Sequence, residues 1–217
     1  MSRMAIVGSA CAGSVGYYAA LLAAGHVIVD TGERCLPLRH SHHRYAIAGP
    51  NGVTRLTVPL VGDTVAMGIP LSEVRISEHA RWRHQHWGAL MAAYGKSPYF
   101  EHAAPALHAI LVEGGQMHLL DLNRALHEFV VDFMELPIAT RYEAVTSDLP
   151  PEAIDWRRQL GTKRGDLLSI DDVSYYQPWA ERHGFLPGMS ILDLVMNEGR
   201  EGIFTLLAMS RRLTASQ

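Results

Sequence analysis

The amino-acid sequence predicts a single α/β domain, in which a strand–helix–strand unit opens a mixed sheet and the second half is rich in helices. The chain has 217 residues, a usual length for one domain, and we expect residues 1–217 to form one. Hydrophobic residues make up 48% and charged residues 19% of the chain, which excludes disordered and fibrous proteins. From Ser77 onwards the hydrophobic spacing changes from short β-branched runs to a helical period.

The beginning of the chain carries the strand–helix–strand pattern. Residues 4–8 form a short apolar run that ends at a glycine, which is typical of a buried strand. After a loop of small residues at 9–14, residues 15–24 have helical composition, and Gly25 has the position of a C-cap. Residues 26–30 form a second β-branched run, so we expect two strands joined by a helix.

A hairpin is predicted next. The turn sequence Gly49-Pro50-Asn51-Gly52 lies between two segments, 44–48 and 53–60, that alternate or run apolar. Residues 71–76 are a further short strand candidate.

Helices dominate the second half of the chain. Helical spacing predicts them at residues 78–94, 98–113, 121–135, 190–197 and 201–213. Ser77, Asp121 and Ser190 are the predicted N-caps of three of them. A short strand is expected at 138–142, and the polar residues 147–174 predict a long surface excursion.

The charge balance and the cysteines limit the possible partners. The net charge is -3, so no basic field attracts nucleic acid or an anionic membrane. No apolar run approaches the ~20 residues of a membrane span, and glycines interrupt the apolar start that a signal peptide would need. Cys11 and Cys35 cannot form a disulfide scaffold. We therefore expect a cytoplasmic protein, with its cofactors and oligomeric state left open.

The densest group of chemically active side chains is Arg39-His40-Ser41-His42-His43-Arg44. Imidazoles bind zinc, but two flanking arginines oppose a dication, and an extended segment places only His40 and His42 on one face. We therefore assign no residue to a metal site. Two main interpretations stay open, an edge that binds an anion such as phosphate and a solvated hairpin strand. A zinc site that uses His40 and His42 is the smaller third alternative.

Three further positions each have a structural and a functional interpretation. His86 shares a helical stripe with apolar residues, so it is either a core histidine with bonded ring nitrogens or a general base. Loop 9–14 is a tight turn, a nucleophile elbow at Cys11 or a ligand loop at a helix N-terminus. Ser190 and Asp193 have capping-box spacing, but Asp193 and Asn197 also share a helix face and could line a polar site.

A series of short stretches carries a resemblance to a known family. In order they are Gly49-Pro50-Asn51-Gly52, Leu56-Thr57-Val58-Pro59, Ile76, Trp82, His86-Trp87, Ala93-Tyr94, Ser97-Pro98-Tyr99-Phe100-Glu101, Leu120-Asp121-Leu122-Asn123, Tyr176-Gln177, His183-Gly184-Phe185, Ser190-Ile191-Leu192-Asp193-Leu194 and Asn197-Glu198-Gly199. Together they resemble the WbqC-like protein family in its Bacteroidetes form, over about residues 44 to 207.

Two segments depart from the family pattern. Related chains have an aromatic, proline-rich loop where this chain has residues 10–14, and a Tyr-Arg-Asn-Arg run where it has residues 41–44. Within residues 41–44, only Arg44 has the residue type that the related chains have at that position. If these two segments hold the ligand in the family, this member has a changed ligand or a lost activity.

The resemblance implies an enzyme of surface-polysaccharide (O-antigen type) assembly, such as one that transfers an acyl or aminoacyl group to a nucleotide-activated amino sugar. The expected ligand is a small molecule or nucleotide sugar. The alternative is a non-catalytic or degenerate ligand-binding member. The expected catalytic residues are His86 and Asp193. The expected substrate-binding residues are Arg39, His43, Arg44, Tyr17, Tyr94 and Asn197.

Overall fold

A computed structural model gives the fold and describes residues 3–35, 40–62, 68–115, 117–145, 153–160 and 173–215. The strands are β1 (Arg3–Gly8), β2 (Gly25–Asp30), β3 (Arg44–Gly49), β4 (Gly52–Thr57), β5 (Ala139–Glu143) and β6 (Ile154–Asp155). The helices are α1 (Val15–Ala24), α2 (Trp82–Tyr94), α3 (Phe100–His108), α4 (Leu119–Met134), α5 (Ala180–His183), α6 (Ile191–Glu198) and α7 (Gly202–Ala215). The predicted α/β class is confirmed, and none of the described helices is long and apolar enough to cross a membrane.

The first three elements form the predicted strand–helix–strand unit. Strand β2 lies parallel to β1 in the register Ala5 to Val27. Ser14 caps α1 by accepting a hydrogen bond from the Tyr17 N–H at 2.9 Å. Gly25 ends the helix with a φ of 76°, a conformation that favours glycine.

Four parallel strands make one sheet in the order β5-β2-β1-β6. The chain adds β2 and β5 on one side of β1 and then returns to add β6 on the other side. The reversal therefore lies beside β1. Open α/β sheets bind their ligands at the carboxyl ends of the strands next to such a reversal, so a ligand site is expected at this edge.

The predicted hairpin is a separate antiparallel pair. Strands β3 and β4 run from the pair Arg44–Thr57 to the pair Gly49–Gly52, and Gly52 takes a φ of 92° in the turn. The predicted mixed sheet is thus built as a parallel sheet and an antiparallel hairpin. Backbone bonds tie the hairpin to α6, because the Ser190 N–H donates to the Ala46 carbonyl at 2.8 Å.

Helices cover the sheet and the hairpin around one hydrophobic core. Helix α1 is buried along most of its length and packs against α7. Helix α4 buries an apolar stripe at the predicted helical spacing, which includes Leu122, Leu126 and Val130.

The strand predicted at residues 71–76 is wrong. A 3-10 turn, Leu71–Glu73, occupies its first half, and only isolated bridges follow at Arg75 and Ile76. Leu71 and Val74 are both completely buried. Their spacing of three residues matches one turn of a 3-10 helix and not the period of a strand.

The starts of two helices also differ from the prediction. A 3-10 turn at His79–Arg81 precedes α2, and Ala80 and Arg81 have positive φ values of 64° and 50°, so the α-helix begins only at Trp82. The N-cap of α4 is His118, which places Asp121 in the first turn. A carboxylate there still interacts favourably with the helix dipole.

The surface excursion predicted at residues 147–174 is corrected in its described part. Strand β6 pairs with β1, and the Trp156 N–H donates to the Ile6 carbonyl at 2.8 Å. Trp156 and Leu160 are buried. Around β6 only Ile154 and Trp156 alternate with polar residues, and two residues are too few to predict a strand.

Candidate functional site

The two segments that depart from the family pattern meet at the carboxyl end of β1. The Cys11 N–H donates to the Ser41 carbonyl at 2.7 Å, and His42 Nδ1 donates to the Ser9 carbonyl at 2.7 Å. His42 and His43 are buried, whereas Arg44 is exposed. Arg39, predicted to bind substrate, lies outside the described residues.

Loop 9–14 is a tight turn whose polar backbone is bonded to the rest of the protein. The Ser190 hydroxyl donates to the Ala12 carbonyl at 2.7 Å, and the Val15 N–H at the start of α1 donates to the Met189 carbonyl at 2.9 Å. Burial raises the pKa of the Cys11 thiol to about 12, so the thiol is protonated at neutral pH. These observations favour the tight turn over the nucleophile elbow and the phosphate loop.

An ion-pair cluster, which sequence analysis missed, lies at the same edge. Arg157, just after β6, donates from Nη1 to Asp30 Oδ2 at 2.6 Å and also binds Asp155 through two nitrogens. Since β1 lies between β2 and β6, this arginine reaches across the end of β1. Asp30 is 2% exposed, and its Oδ1 accepts from the N–H groups of Gly32 and Val145. The bonds to Asp155 and Asp30 raise the pKa of Arg157.

A small cavity opens at the carboxyl ends of β1, β2 and β5. It is lined by Ser9, Ala10, Tyr17, Val29, Asn123, His127 and Tyr142. About 10 Å³ is available to the centre of a water molecule, which is enough for one. Tyr17, predicted to bind substrate, lies in this wall, but its hydroxyl donates to the Gly8 carbonyl at 2.9 Å.

His127 forms one wall of the cavity without a free ring nitrogen. Its Nδ1 lies 3.2 Å from the Tyr18 hydroxyl and its Nε2 lies 2.9 Å from Thr140 Oγ1. Burial lowers the pKa of His127 to about 4, so the ring is neutral at pH 7.

His86, the predicted general base, lies on α2 and faces the hairpin in the core. Its Nε2 donates to the Thr57 carbonyl at 3.2 Å, because a carbonyl can only accept. The Nδ1 atom therefore accepts from the Tyr45 hydroxyl at 3.1 Å. Burial lowers the pKa of His86 to about 4. These bonds match the core-histidine interpretation, and the catalytic role stays a prediction.

Asp193 is a completely buried carboxyl group on α6. Its Oδ2 accepts from the Tyr175 hydroxyl at 2.5 Å and from Gln177 Nε2 at 2.8 Å. Burial raises the pKa of Asp193, while the hydrogen bonds from Tyr175 and Gln177 and the nearby Tyr94 hydroxyl oppose the increase. The contact with Tyr94 is not a hydrogen bond of good geometry, although that hydroxyl does accept from the Ala48 N–H at 3.1 Å.

Asp193 on α6 binds Tyr175 and Gln177 and does not cap the N-terminus of its own helix. Ser190 is the N-cap, as predicted, and accepts from the Leu192 N–H at 3.2 Å. The carboxylate of Asp193 does not complete a capping box, because the Ser190 N–H is bonded to Ala46. Asn197 donates from Nδ2 to the Asp193 carbonyl at 2.8 Å.

The predicted site residues thus form separate groups. Tyr94, Asp193 and Asn197 come together at α6, and Tyr17 lies at the end of β1. His43 and Arg44 lie where the hairpin begins, and His86 is in the core beside Tyr45. Within the part of the chain that the structure describes, no group of three histidine, cysteine, aspartate or glutamate side chains could hold a metal ion.

Comparison with known proteins gives one match. A family model described as the WbqC-like protein family matches residues 14–165, which include the carboxyl edge of β2, β5 and β6 but not α6 with Asp193. No curated protein and no solved structure matches the chain. Because the family model covers well over half of the chain, this protein belongs to the WbqC-like protein family.

Proposed function

We propose that this protein is a cytoplasmic enzyme of surface-polysaccharide assembly, which transfers an acyl or aminoacyl group to a nucleotide-activated amino sugar at the carboxyl edge of the parallel sheet. The observation that carries the proposal is the strand order β5-β2-β1-β6, since its reversal beside β1 is the position where open α/β sheets bind nucleotides. Family membership supports a role related to polysaccharides.

Arginine side chains supply the diphosphate contact in this proposal. Arg44 is exposed at the start of β3, two residues after His42, whose ring donates to the Ser9 carbonyl just beyond β1. A guanidinium group binds phosphate oxygens in a bidentate manner, and Arg39 would supply a second one. Arg157 is less suited to this role, because Asp30 and Asp155 already hold its charge.

For the proposed catalysis, His86 and Asp193 would first have to become accessible, because both are buried and hydrogen-bonded. His86 would have to leave its bonds to Tyr45 and Thr57 before it could act as a base. Asp193 would have to be reached through the contact with Tyr175 and Gln177. With Asn197 it would orient the base or bind sugar hydroxyls.

Thermal unfolding with and without ligand tests the proposal. A nucleotide sugar at 100 times its Kd stabilises the folded state by about 2.7 kcal/mol, which raises the Tm by roughly 5–10 °C for a chain of this size. We expect such a shift with UDP-N-acetylglucosamine in the wild type and a smaller one in Arg44→Gln. Arg200→Gln is the matched control, because Arg200 is an exposed arginine paired with Glu135 elsewhere on the surface. No shift at millimolar ligand in the wild type would contradict the proposal.

A non-catalytic or degenerate member is the second candidate function, and one observation favours it. The N–H groups of Val15 and Cys11 donate to the carbonyls of Met189 and Ser41, and the Ala12 carbonyl accepts from Ser190. A ligand loop would leave such N–H groups available to a ligand. The test is a graft of the family's aromatic loop at 10–14 together with its Tyr-Arg-Asn-Arg run at 41–44. Ligand binding that is absent in the natural chain and present in the graft would support the degenerate member.

A further inference from the structure

The cavity at the end of β1 contains a hydrogen-bond acceptor with no protein partner. Asn123 is 2% exposed, and its Oδ1 is buried without a hydrogen bond to any described residue. A buried acceptor of this kind costs about 1–3 kcal/mol unless a ligand or a water molecule satisfies it.

The orientation of the Asn123 amide is fixed by its other end. Both hydrogens of Nδ2 are used, on Ser9 Oγ at 3.0 Å and on the His42 carbonyl at 2.9 Å. A flipped amide would place Oδ1 against the His42 carbonyl, where two acceptors repel each other. The oxygen is therefore the atom that is free to face the cavity that Asn123 lines.

Ser9 supplies the complementary donor. Its hydroxyl oxygen accepts from Asn123, and its hydrogen has no acceptor among the described residues. A hydroxyl donates one bond and accepts others, so Ser9 and Asn123 together offer one donor and one acceptor beside the same small space.

The wall of the cavity carries no charge. Burial lowers the pKa of His127 to about 4 and raises the pKa of Tyr142, so both side chains are neutral at pH 7. The other lining residues have no ionised side chain at this pH. An ammonium, carboxylate or phosphate group would be buried there without a counter-charge, which is strongly unfavourable.

We infer that Ser9 and Asn123 form a binding site for one neutral hydroxyl group, which donates to Asn123 Oδ1 and accepts from the Ser9 hydroxyl. The space at the cavity has room for one oxygen atom. Water fills the site in the free protein. In the complex, and resting on the proposed function, the occupant is a hydroxyl of the amino sugar, because the site lies at the carboxyl edge where the substrate is placed.

Two measurements test the site. The first is a crystal structure of the free protein, soaked with and without ethylene glycol. We expect a density peak within hydrogen-bond distance of both Ser9 Oγ and Asn123 Oδ1, occupied by water and replaced by an oxygen of the diol. An empty cavity would overturn the inference, and this result is independent of whether any nucleotide sugar binds.

The second measurement separates water from a sugar hydroxyl. We expect Ser9→Ala to weaken the binding of UDP-N-acetylglucosamine by about 3- to 10-fold, the effect of one neutral hydrogen bond, and to leave UDP binding unchanged. Ser97→Ala is the matched control, because Ser97 is also buried and lies outside the cavity. Equal affinity of Ser9→Ala and Ser97→Ala for the sugar would overturn the inference. Failure of both UDP and the sugar to bind the wild type would instead contradict the proposed function.

Discussion

The ion pair between Arg157 and Asp30 should be the most sensitive polar contact in the fold. Removing the guanidinium group, as in Arg157→Leu, leaves a carboxylate that is 2% exposed without its counter-charge. Breaking a buried pair in this way costs about 3–5 kcal/mol. Two backbone N–H groups, from Gly32 and Val145, would still bind Asp30 Oδ1, so we expect a loss nearer to about 2–3 kcal/mol.

Urea unfolding followed by circular dichroism measures this loss directly. The expected decrease in the free energy of unfolding corresponds to a Tm lower by roughly 5–10 °C. The double variant Asp30→Asn with Arg157→Leu should recover about 1 kcal/mol or more, because it no longer buries an unpaired charge. A coupling energy near zero in this double-mutant cycle would contradict the assignment of a buried pair.

The matched control is the exposed pair between Arg124 and Glu128 on α4. It has a similar distance of 2.7 Å, but both side chains are more than half exposed. Solvent screens such pairs, so Glu128→Gln should change the free energy of unfolding by less than about 0.5 kcal/mol. If Arg157→Leu has an equally small effect, the reasoning from burial is refuted.

Three further predictions follow from buried titratable groups. The pKa of His86 lies at about 4 in the folded state, below its unfolded value of 6.5, so its stabilising contribution is complete above pH 6.5 and falls as the pH decreases towards 4. Urea unfolding at pH 7 and 5 should show a loss of stability to which His86 contributes roughly 2 kcal/mol and His127, with a similar pKa, a similar amount. His86→Gln should reduce the loss by the His86 part alone, whereas the exposed control His84→Gln should leave it unchanged. Asp193→Asn keeps an acceptor of the same shape and should change the free energy of unfolding at pH 7 by less than about 1 kcal/mol. Asp193→Ala should cost about 2–4 kcal/mol, because Tyr175 and Gln177 lose their acceptor. Equal effects of the two substitutions in chemical denaturation would disagree with the observed bonds. Burial raises the pKa of Cys11 to about 12, so its thiol should not react with a thiol reagent in the native protein and should react on unfolding in urea. Stoichiometric labelling of Cys11 within minutes under native conditions would show that the thiol is accessible.

Local patterns were enough to predict most of the elements, and contacts distant in sequence explain what they missed. The unit β1-α1-β2 and the hairpin follow from short runs, a capping serine and glycines with positive φ. Strand β6 has two residues, which is too short for any period, and becomes a strand only because β1 offers a free edge. Nothing near Asp30 in sequence indicates its partner, which lies 127 positions away.

The candidate site shows the same limit. Asn123 belongs to a run that carries the family resemblance, and that was the available signal for it. Its role depends on Ser9, 114 positions away, and on the backbone of His42. His86 and Asp193 are expected to be catalytic because they stand in stretches that resemble the family, but a sequence cannot show whether a histidine nitrogen or a carboxylate oxygen already has a partner in the core.

The contact between loop 9–14 and residues 40–44 changes how the two departures from the family pattern should be understood. The loop binds the second segment twice, through the Cys11 N–H on Ser41 and through His42 on the Ser9 carbonyl. Cys11, Ala12 and His42 are each almost completely buried, so a bulky aromatic loop could not replace residues 10–14 while His42 keeps its place. The two segments therefore form one structural unit in this chain. Grafting only the aromatic loop should overpack this edge and destabilise the protein by about 1–3 kcal/mol or more. Grafting both segments together should restore the stability. Equal stability of the two grafted proteins would show that the segments vary independently.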